Sequence, residues 1–283
     1  MAIIIALIPA LAWGSIGLVS GKLGGNAYQQ TLGMTIGALV FGFGTWVFMQ
    51  PSITSATWLF GIISGLLWAL GQGFQFRSMQ QVGVSTAVPI STGMQLVANA
   101  LAGALLFHEW HSGRDVTLGI IAVGILVIGA ALTSRKEKSE AAAPNHMGKG
   151  IQSLLISTIG YAGYTVVYTA AGLDAAAVVL PQAVGMLLGA IVLSFGHEVL
   201  TKATAKNVAT GLLWGVGNLF MLMATKSVGL AIAFSMSQMG IVISTFGGIF
   251  LLGEEKTRKE MVYVTVGSLL VILGGVVLGV MKA

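Results

Sequence analysis

The sequence predicts an all-α, polytopic membrane protein: ten transmembrane helices arranged as two inverted five-helix repeats. Three observations carry that prediction. Of the 283 residues, 55% are hydrophobic and only 8% are charged, a balance foreign to soluble domains of this size. The apolar residues fall into ten runs long enough to cross a bilayer. The stretch Gly65 to Glu109 also occurs twice: shifting its numbering by 146 lays it, without a gap, over Gly211 to Glu255. Gly65/Gly211, Trp68/Trp214, Gly71/Gly217, Phe74/Phe220, Gly83/Gly229, Ser91/Ser237 and Glu109/Glu255 are identical pairs in that overlay, which marks duplication rather than shared composition.

A hydrocarbon core about 30 Å thick takes roughly 20 residues of helix. The runs lie at 2–20, 31–49, 57–76, 84–107, 115–133, 151–170, 176–195, 208–225, 230–252 and 261–281. The first lacks the charged start of a signal peptide and has the length of a span, so it is read as one. Span two carries Gln30, Gly33, Met34, Gly37 and Ala38, matched in span seven by Gln182, Gly185, Met186, Gly189 and Ala190. On span three Trp68, Gln72 and Gln75 share one face at i, i+4, i+7 spacing, and span eight answers with Trp214 and Asn218. Span four carries Ser91, Gln95 and Asn99 as a polar stripe, and span nine answers with Ser235, Ser237, Gln238, Ser244 and Thr245.

Two prolines sit beside these polar residues. Pro89 in span four frees a carbonyl near Ser85 and is expected to bend its helix, and Pro181 precedes Gln182 in span seven. Freed backbone at membrane depth is tolerated where it lines a cavity or finds another partner. Spans five and ten are aliphatic with scattered glycine. Small residues let helices approach closely in lipid, so both spans are read as scaffold, with a homodimer contact as an open second role.

Between spans five and six lies SRKEKSEAAAPNHMGKG, the only long polar segment. It divides the chain into repeats at 1–133 and 151–283, with a linker at 134–150. Each repeat has an odd number of spans, so the second must enter the membrane inverted.

The net charge of +5 does not point to nucleic acid, because the basic residues sit in short loops between spans, where they report topology. One set of alternate loops holds Lys22, Arg77, Arg135, Lys136, Lys138, Lys149, Lys202, Lys206, Lys256, Arg258 and Lys259. The other set holds only Arg114, Lys226 and Lys282. Eleven against three places the linker in the cytoplasm and both termini outside. The absence of cysteine excludes disulfides and thiolate metal sites, and nothing in the sequence calls for a cofactor or a metal.

The function must be carried by neutral groups. No Asp, Glu, Lys or Arg lies near the centre of a span. A carrier of organic cations normally needs a buried carboxylate, and an intramembrane hydrolase needs an acid–base or metal set. A polyol needs only amides and hydroxyls for its OH groups and aromatic faces for its C–H surface. The candidate substrate contacts are therefore Trp13, Gln72, Gln75, Ser91, Gln95, Gln182, Trp214, Asn218, Ser237 and Gln238. The competing reading is that the amides bond across to neighbouring helices as glue.

PALAWGS, WALGQ, PISTGMQL, FHEW, PQAVGM and SMSQMGIVIST occur in that order, and together they resemble the bacterial glucose/ribose uptake permeases, a branch of the drug/metabolite transporter superfamily. The resemblance covers the whole chain. It implies ten helices in two inverted halves in the plasma membrane, and monosaccharide import, glucose first and ribose second, by proton symport. The charge count gives the reverse of the orientation usually drawn for that superfamily. Export or exchange of another polar metabolite or a lipid-linked sugar is the alternative. For a coupled proton the sequence offers only groups at helix ends, His108, Glu109 and Glu198.

The orientation is directly testable in this cysteine-free chain. Single cysteines introduced between Arg135 and Lys149 are expected to stay shielded from impermeant thiol reagents added to intact cells. Ready labelling from outside would reverse the assignment.

Overall fold

The structure, a computed structural model, describes residues 2–135 and 146–281. Residues 136–145 of the expected linker lie outside the described residues. Among the described residues there is helix and no strand. The helices are α1 (Ala2–Leu23), α2 (Ala27–Met49), α3 (Ser55–Val82), α4 (Val84–Leu101), α5 (Gly113–Thr133), α6 (Met147–Ala170), α7 (Ala175–Leu193), α8 (Lys202–Val228), α9 (Leu230–Ser237), α10 (Ile241–Leu252) and α11 (Arg258–Met281). Every expected span lies in one of these to within two residues, except that span four runs on beyond α4 through a π-helical turn at Ala102–Leu106 and span nine is divided into α9 and α10.

Nine helical stretches among the described residues are long and apolar enough to cross a membrane. The tenth long helix, α6, has 24 residues but is more polar, because Ser153, Ser157, Tyr161, Tyr164, Thr165 and Tyr168 are built into its buried face.

Local sequence sets the helix ends. Asn26 and Gln29 form a capping box at α2, and Ser112 with Asp115 forms another at α5. Thr54 and Thr201 cap α3 and α8 through their side chains. Two stretches of the described backbone depart from regular α-helix, and neither lies at a proline. Pro89 and Pro181 sit inside continuous helices. The interruptions are a π-helical turn at Ala102–Leu106, which continues α4, and a 3₁₀ turn at Gln238–Gly240 between α9 and α10.

The fourth spans begin without side-chain caps of their own. Gly83 and Gly229, each with φ of 85°, turn the chain into α4 and α9. A carboxylate from the other end of the chain supplies each cap. Glu254 accepts the N–H groups of Val84 at 2.8 Å and Ser85 at 3.0 Å. Glu109 accepts those of Leu230 at 2.7 Å and Ala231 at 2.9 Å. A negative charge at a helix N-terminus satisfies orphan donors and is favoured by the helix dipole, worth about 0.3–2 kcal/mol. The sequence overlay pairs Glu109 with Glu255, whereas the structure gives the matching role to Glu254. Glu109 is 25 residues beyond Val84 and Glu254 is 24 beyond Leu230 (109 − 84 against 254 − 230). A π turn adds one residue to a helix, and the one at Ala102–Leu106 accounts for the difference.

Packing exchanges neighbours between the halves. α3 lies on α6 and α7, α8 lies on α1 and α2, α2 meets α7, and α5 meets α11. At the α3–α7 crossing, a methyl added to Gly65 would sit on the Gln182 carbonyl and one added to Gly185 on that of Ile62. At the α2–α8 crossing, Gly37 meets the Val208 carbonyl and Gly211 that of Met34 in the same way. Spans five and ten behave as scaffold: Gly129 and Gly267 face each other's carbonyls at 2.7 and 2.6 Å from an added Cβ, and neither helix lines the central cavity.

Gly65→Ala and Gly211→Ala are expected to destabilise the detergent-solubilised protein by about 1–3 kcal/mol, because each methyl meets rigid backbone. Gly124→Ala, with open space around it, is the control. Unchanged thermal unfolding in both crossing variants would remove backbone contact as the basis of the packing.

Candidate functional site

A cavity of about 660 Å³, counting the part open to solvent, lies where α1, α3, α4, α6 and α8 meet the α9–α10 span. Among the described residues, no Asp, Glu, Lys, Arg or His lines it.

One wall is an amide and hydroxyl network. The Tyr161 hydroxyl lies 2.7 Å from Gln72 Oε1 and 3.0 Å from Gln75 Oε1. Gln75 and Gln95 each donate an amide N–H to the Ser91 hydroxyl, at 2.8 and 2.7 Å. Gln72, Gln75 and Gln95 line the cavity, and Ser91, fully buried, holds the last two together from behind. The glutamine spacing predicted from α3 therefore does place Gln72 and Gln75 on one face, and α4 adds Gln95 to it.

Across from this wall, the 3₁₀ turn brings in Gln238. Its amide oxygen accepts from Thr92 at 3.3 Å and its N–H reaches Ser237 at 3.3 Å. Both bonds are long for their type, so this amide is the one most easily re-paired. Ser237 donates to the Phe234 carbonyl at 2.6 Å and also lines the cavity. The turn can approach because α1 carries glycine there: a Cβ on Gly14 would lie 2.6 Å from the Gly240 oxygen.

The remaining surface is aromatic. Trp68 and Trp214 meet edge to face with centroids 5.3 Å apart, and Tyr161 meets Trp68 at 6.4 Å. Two glycines of the repeated stretch admit the aromatic residues of α1 and α6. Gly71 has no Cβ where the Tyr161 ring lies, and Gly217 has none where the Trp13 indole lies. Trp13 donates to the Trp214 carbonyl at 3.4 Å. The Trp214 Nε1, by contrast, is buried with no partner among the described residues. An unmade hydrogen bond at a buried donor costs about 1–3 kcal/mol.

Of the candidates from the sequence, the structure thus places Trp13, Gln72, Gln75, Gln95, Trp214, Ser237 and Gln238 around one cavity. Gln182 and Asn218 are elsewhere. Asn218 donates to Gln182 at 2.7 Å, Gln182 donates to Ser64 at 2.7 Å, and Ser64 donates to the Tyr164 carbonyl at 3.0 Å. This chain ties α8, α7, α3 and α6 together outside the cavity lining. Tyr161 and Tyr164 also line the cavity and are not among the candidates from the sequence.

The Sugar transport protein family description matches residues 4–281. A protein of Lactiplantibacillus plantarum named "Putative sugar uptake protein" is 60% identical over the full length of both chains. Another so named, from Bacillus anthracis, is 48% identical over both full lengths. One of Priestia megaterium, named "Probable glucose uptake protein GlcU", is 45% identical, again over both chains entirely. A solved crystal structure 17% identical to this chain covers 99% of it and 98% of its own length with a TM-score of 0.67, which shows a shared fold. Matched over nearly all its length, this multi-pass bacterial membrane protein belongs to the Sugar transport protein family, whose members are uptake transporters and not enzymes.

Proposed function

We propose that the chain imports a monosaccharide, glucose ahead of ribose, by proton symport and alternating access of two pseudo-symmetric halves around the central cavity. The observation that carries the reading is the cavity's make-up: amides and hydroxyls on one side, indole and phenol rings on the other, and no charged side chain among the described residues. Glutamine amides both donate and accept, as sugar hydroxyls do, and aromatic faces cover the C–H surface of a pyranose ring. Glucose presents one more hydroxyl than ribose to such a wall. The name of the Priestia megaterium relative points the same way. A lipid-linked sugar would bring a phosphate into a cavity that has no cation to meet it.

In this reading the two halves move about the contacts that join their fourth spans. The reciprocal caps at Glu109 and Glu254 bind the start of each fourth span to the end of the other. Inverted repeats that move in this way around a midplane site are the general pattern of secondary carriers.

Uptake of labelled sugar by vesicles tests the proposal. Glucose is expected to enter faster than ribose and to accumulate when an inward proton gradient is imposed. Gradient-independent equilibration would remove symport and leave facilitated diffusion, and no uptake of either sugar would sink the reading. Gln72→Leu, Gln95→Leu and Trp214→Phe each remove one hydrogen-bonding group and are expected to weaken sugar binding about ten- to a hundredfold at near wild-type protein yield. Asn218→Leu should instead lower thermal stability by about 1–3 kcal/mol, because it leaves Gln182 short of a buried partner. Normal stability with lost sugar binding in that variant would bring Asn218 back into the site.

A further inference from the structure

Some residues of the repeated stretch touch their own counterparts. Two copies related by a pseudo-twofold axis bring equivalent side chains together only along that axis. Trp68 and Trp214 are such a pair, 146 positions apart in sequence and with ring centroids 5.3 Å apart. Thr92 and Gln238 are another, also 146 apart, and they are joined by the bond from the Thr92 hydroxyl to Gln238 Oε1 at 3.3 Å. All four line the central cavity, so the axis that these contacts mark runs through it. Off the axis the two copies differ. In the same overlay Gln72 falls on Asn218, which is tied to Gln182, while Gln75 falls on Met221 and Gln95 on Ile241. The three amides of the wall thus have no amide counterpart in the cavity lining.

The direction of each bond in the Thr92–Gln238 pair follows from what its neighbours can spare. Ser237 commits its single proton to the Phe234 carbonyl at 2.6 Å. Its oxygen can then only accept, so the group that faces it at 3.3 Å is the Gln238 N–H. That leaves Gln238 Oε1 toward Thr92, whose hydroxyl makes no other hydrogen bond among the described residues. Thr92 to Gln238, Gln238 to Ser237 and Ser237 to the Phe234 carbonyl form one directed chain. The two links that involve Gln238 are the long ones, and they leave its second N–H and the Thr92 oxygen lone pairs for a ligand.

We propose that Thr92 and Gln238 form the sugar contact kept in both facing states of the carrier, with Thr92 as a specificity residue in addition to the amide wall. This rests on the reading of the chain as a sugar importer that works by alternating access of two inverted halves. When such halves exchange conformations, a residue off the axis takes on its counterpart's surroundings. A pair on the axis exchanges its two members and stays in place. Gln72, Gln75 and Gln95 therefore grip the sugar in one facing state, whereas the axial pair holds it in both. One sugar hydroxyl accepts from the spare Gln238 N–H and donates to the Thr92 oxygen.

Glucose counterflow in right-side-out and inside-out membrane vesicles reads the two faces separately. Thr92→Val nearly keeps the shape of the side chain and removes its hydroxyl. It is expected to raise the half-saturation concentration for glucose about tenfold at both faces, and Thr92→Ser should restore it. Gln75→Leu is expected to raise the same constant much more at one face than at the other. Gln238→Leu should give the two-faced loss of Thr92→Val, and the two substitutions together less than the product of their single effects, because they share one bond. Gln238→Leu also carries the test if Thr92→Val does not reach the membrane. A Thr92→Val constant equal to wild type at both faces, one raised at a single face, or a Gln75→Leu effect equal at both faces overturns the proposal and leaves sugar transport standing. Absence of glucose counterflow in the wild type would remove the sugar reading and this inference with it.

Discussion

Hydrocarbon offers a peptide group no partner and gives helices little hydrophobic reason to associate, so this fold depends on how closely its backbones can approach. The approach is made at glycines. Gly65 and Gly185 bring α3 onto α7, and Gly37 and Gly211 bring α2 onto α8, each with a carbonyl of the facing helix where a side chain would otherwise stand. These crossings fix the long helices α3 and α8 against the opposite half. Trp68 and Trp214 ride on those helices and meet edge to face with centroids 5.3 Å apart, so the aromatic side of the cavity is carried by the two helices that the glycine crossings hold.

The fourth spans are held by electrostatics instead. Gly83 and Gly229 leave the N-termini of α4 and α9 without a side-chain cap, and Glu254 and Glu109 fill that role from the far end of the opposite fourth span. Because each cap joins the two spans, neither can shift at one end without disturbing the other. Of the amide wall, α4 carries Ser91 and Gln95, while the re-pairable Gln238 belongs to the 3₁₀ turn beside α10. A relative movement of these spans would change the distance between the two polar sides of the cavity, the kind of change alternating access requires.

How much of this was legible in the sequence follows from what each signal depends on. Hydrophobic runs report burial in lipid, so the ten spans were readable from composition and length. The glutamine face of α3 followed from helical spacing alone. The irregular turns were not readable. Pro89 stands out because it lacks an N–H, but its helix runs on past it, while the break at Gln238–Gly240 contains no proline and lies where Gly14 of α1 approaches closely. The π turn was hidden in a gapless overlay, which pairs residues by count and cannot register one inserted residue that helix geometry absorbs. Gln182 and Asn218 were indistinguishable from Gln72 and Gln95 as buried amides. Which side of a helix faces a cavity and which faces a neighbour is decided by tertiary packing.

The separation of these two amide sets explains what the cavity can select. In the Gln182–Asn218–Ser64 chain the Gln182 oxygen and N–H are both committed at 2.7 Å, so it contributes to rigidity and has little to offer a ligand. The cavity wall is different. Tyr161 has one proton for two glutamine oxygens; if Gln72 takes it at 2.7 Å, Gln75 Oε1 is left with the Gln72 N–H at 3.4 Å. Among the described residues the buried Trp214 N–H has no acceptor either, so an under-used acceptor and an unused donor both belong to side chains of the cavity lining. A molecule whose hydroxyls accept on one side and donate on the other completes both, and an apolar molecule of equal size completes neither. Discrimination by buried groups left unpaired is far stronger than discrimination by shape in an apolar pocket, so this arrangement favours a hydroxylated ring over a hydrocarbon one of the same dimensions.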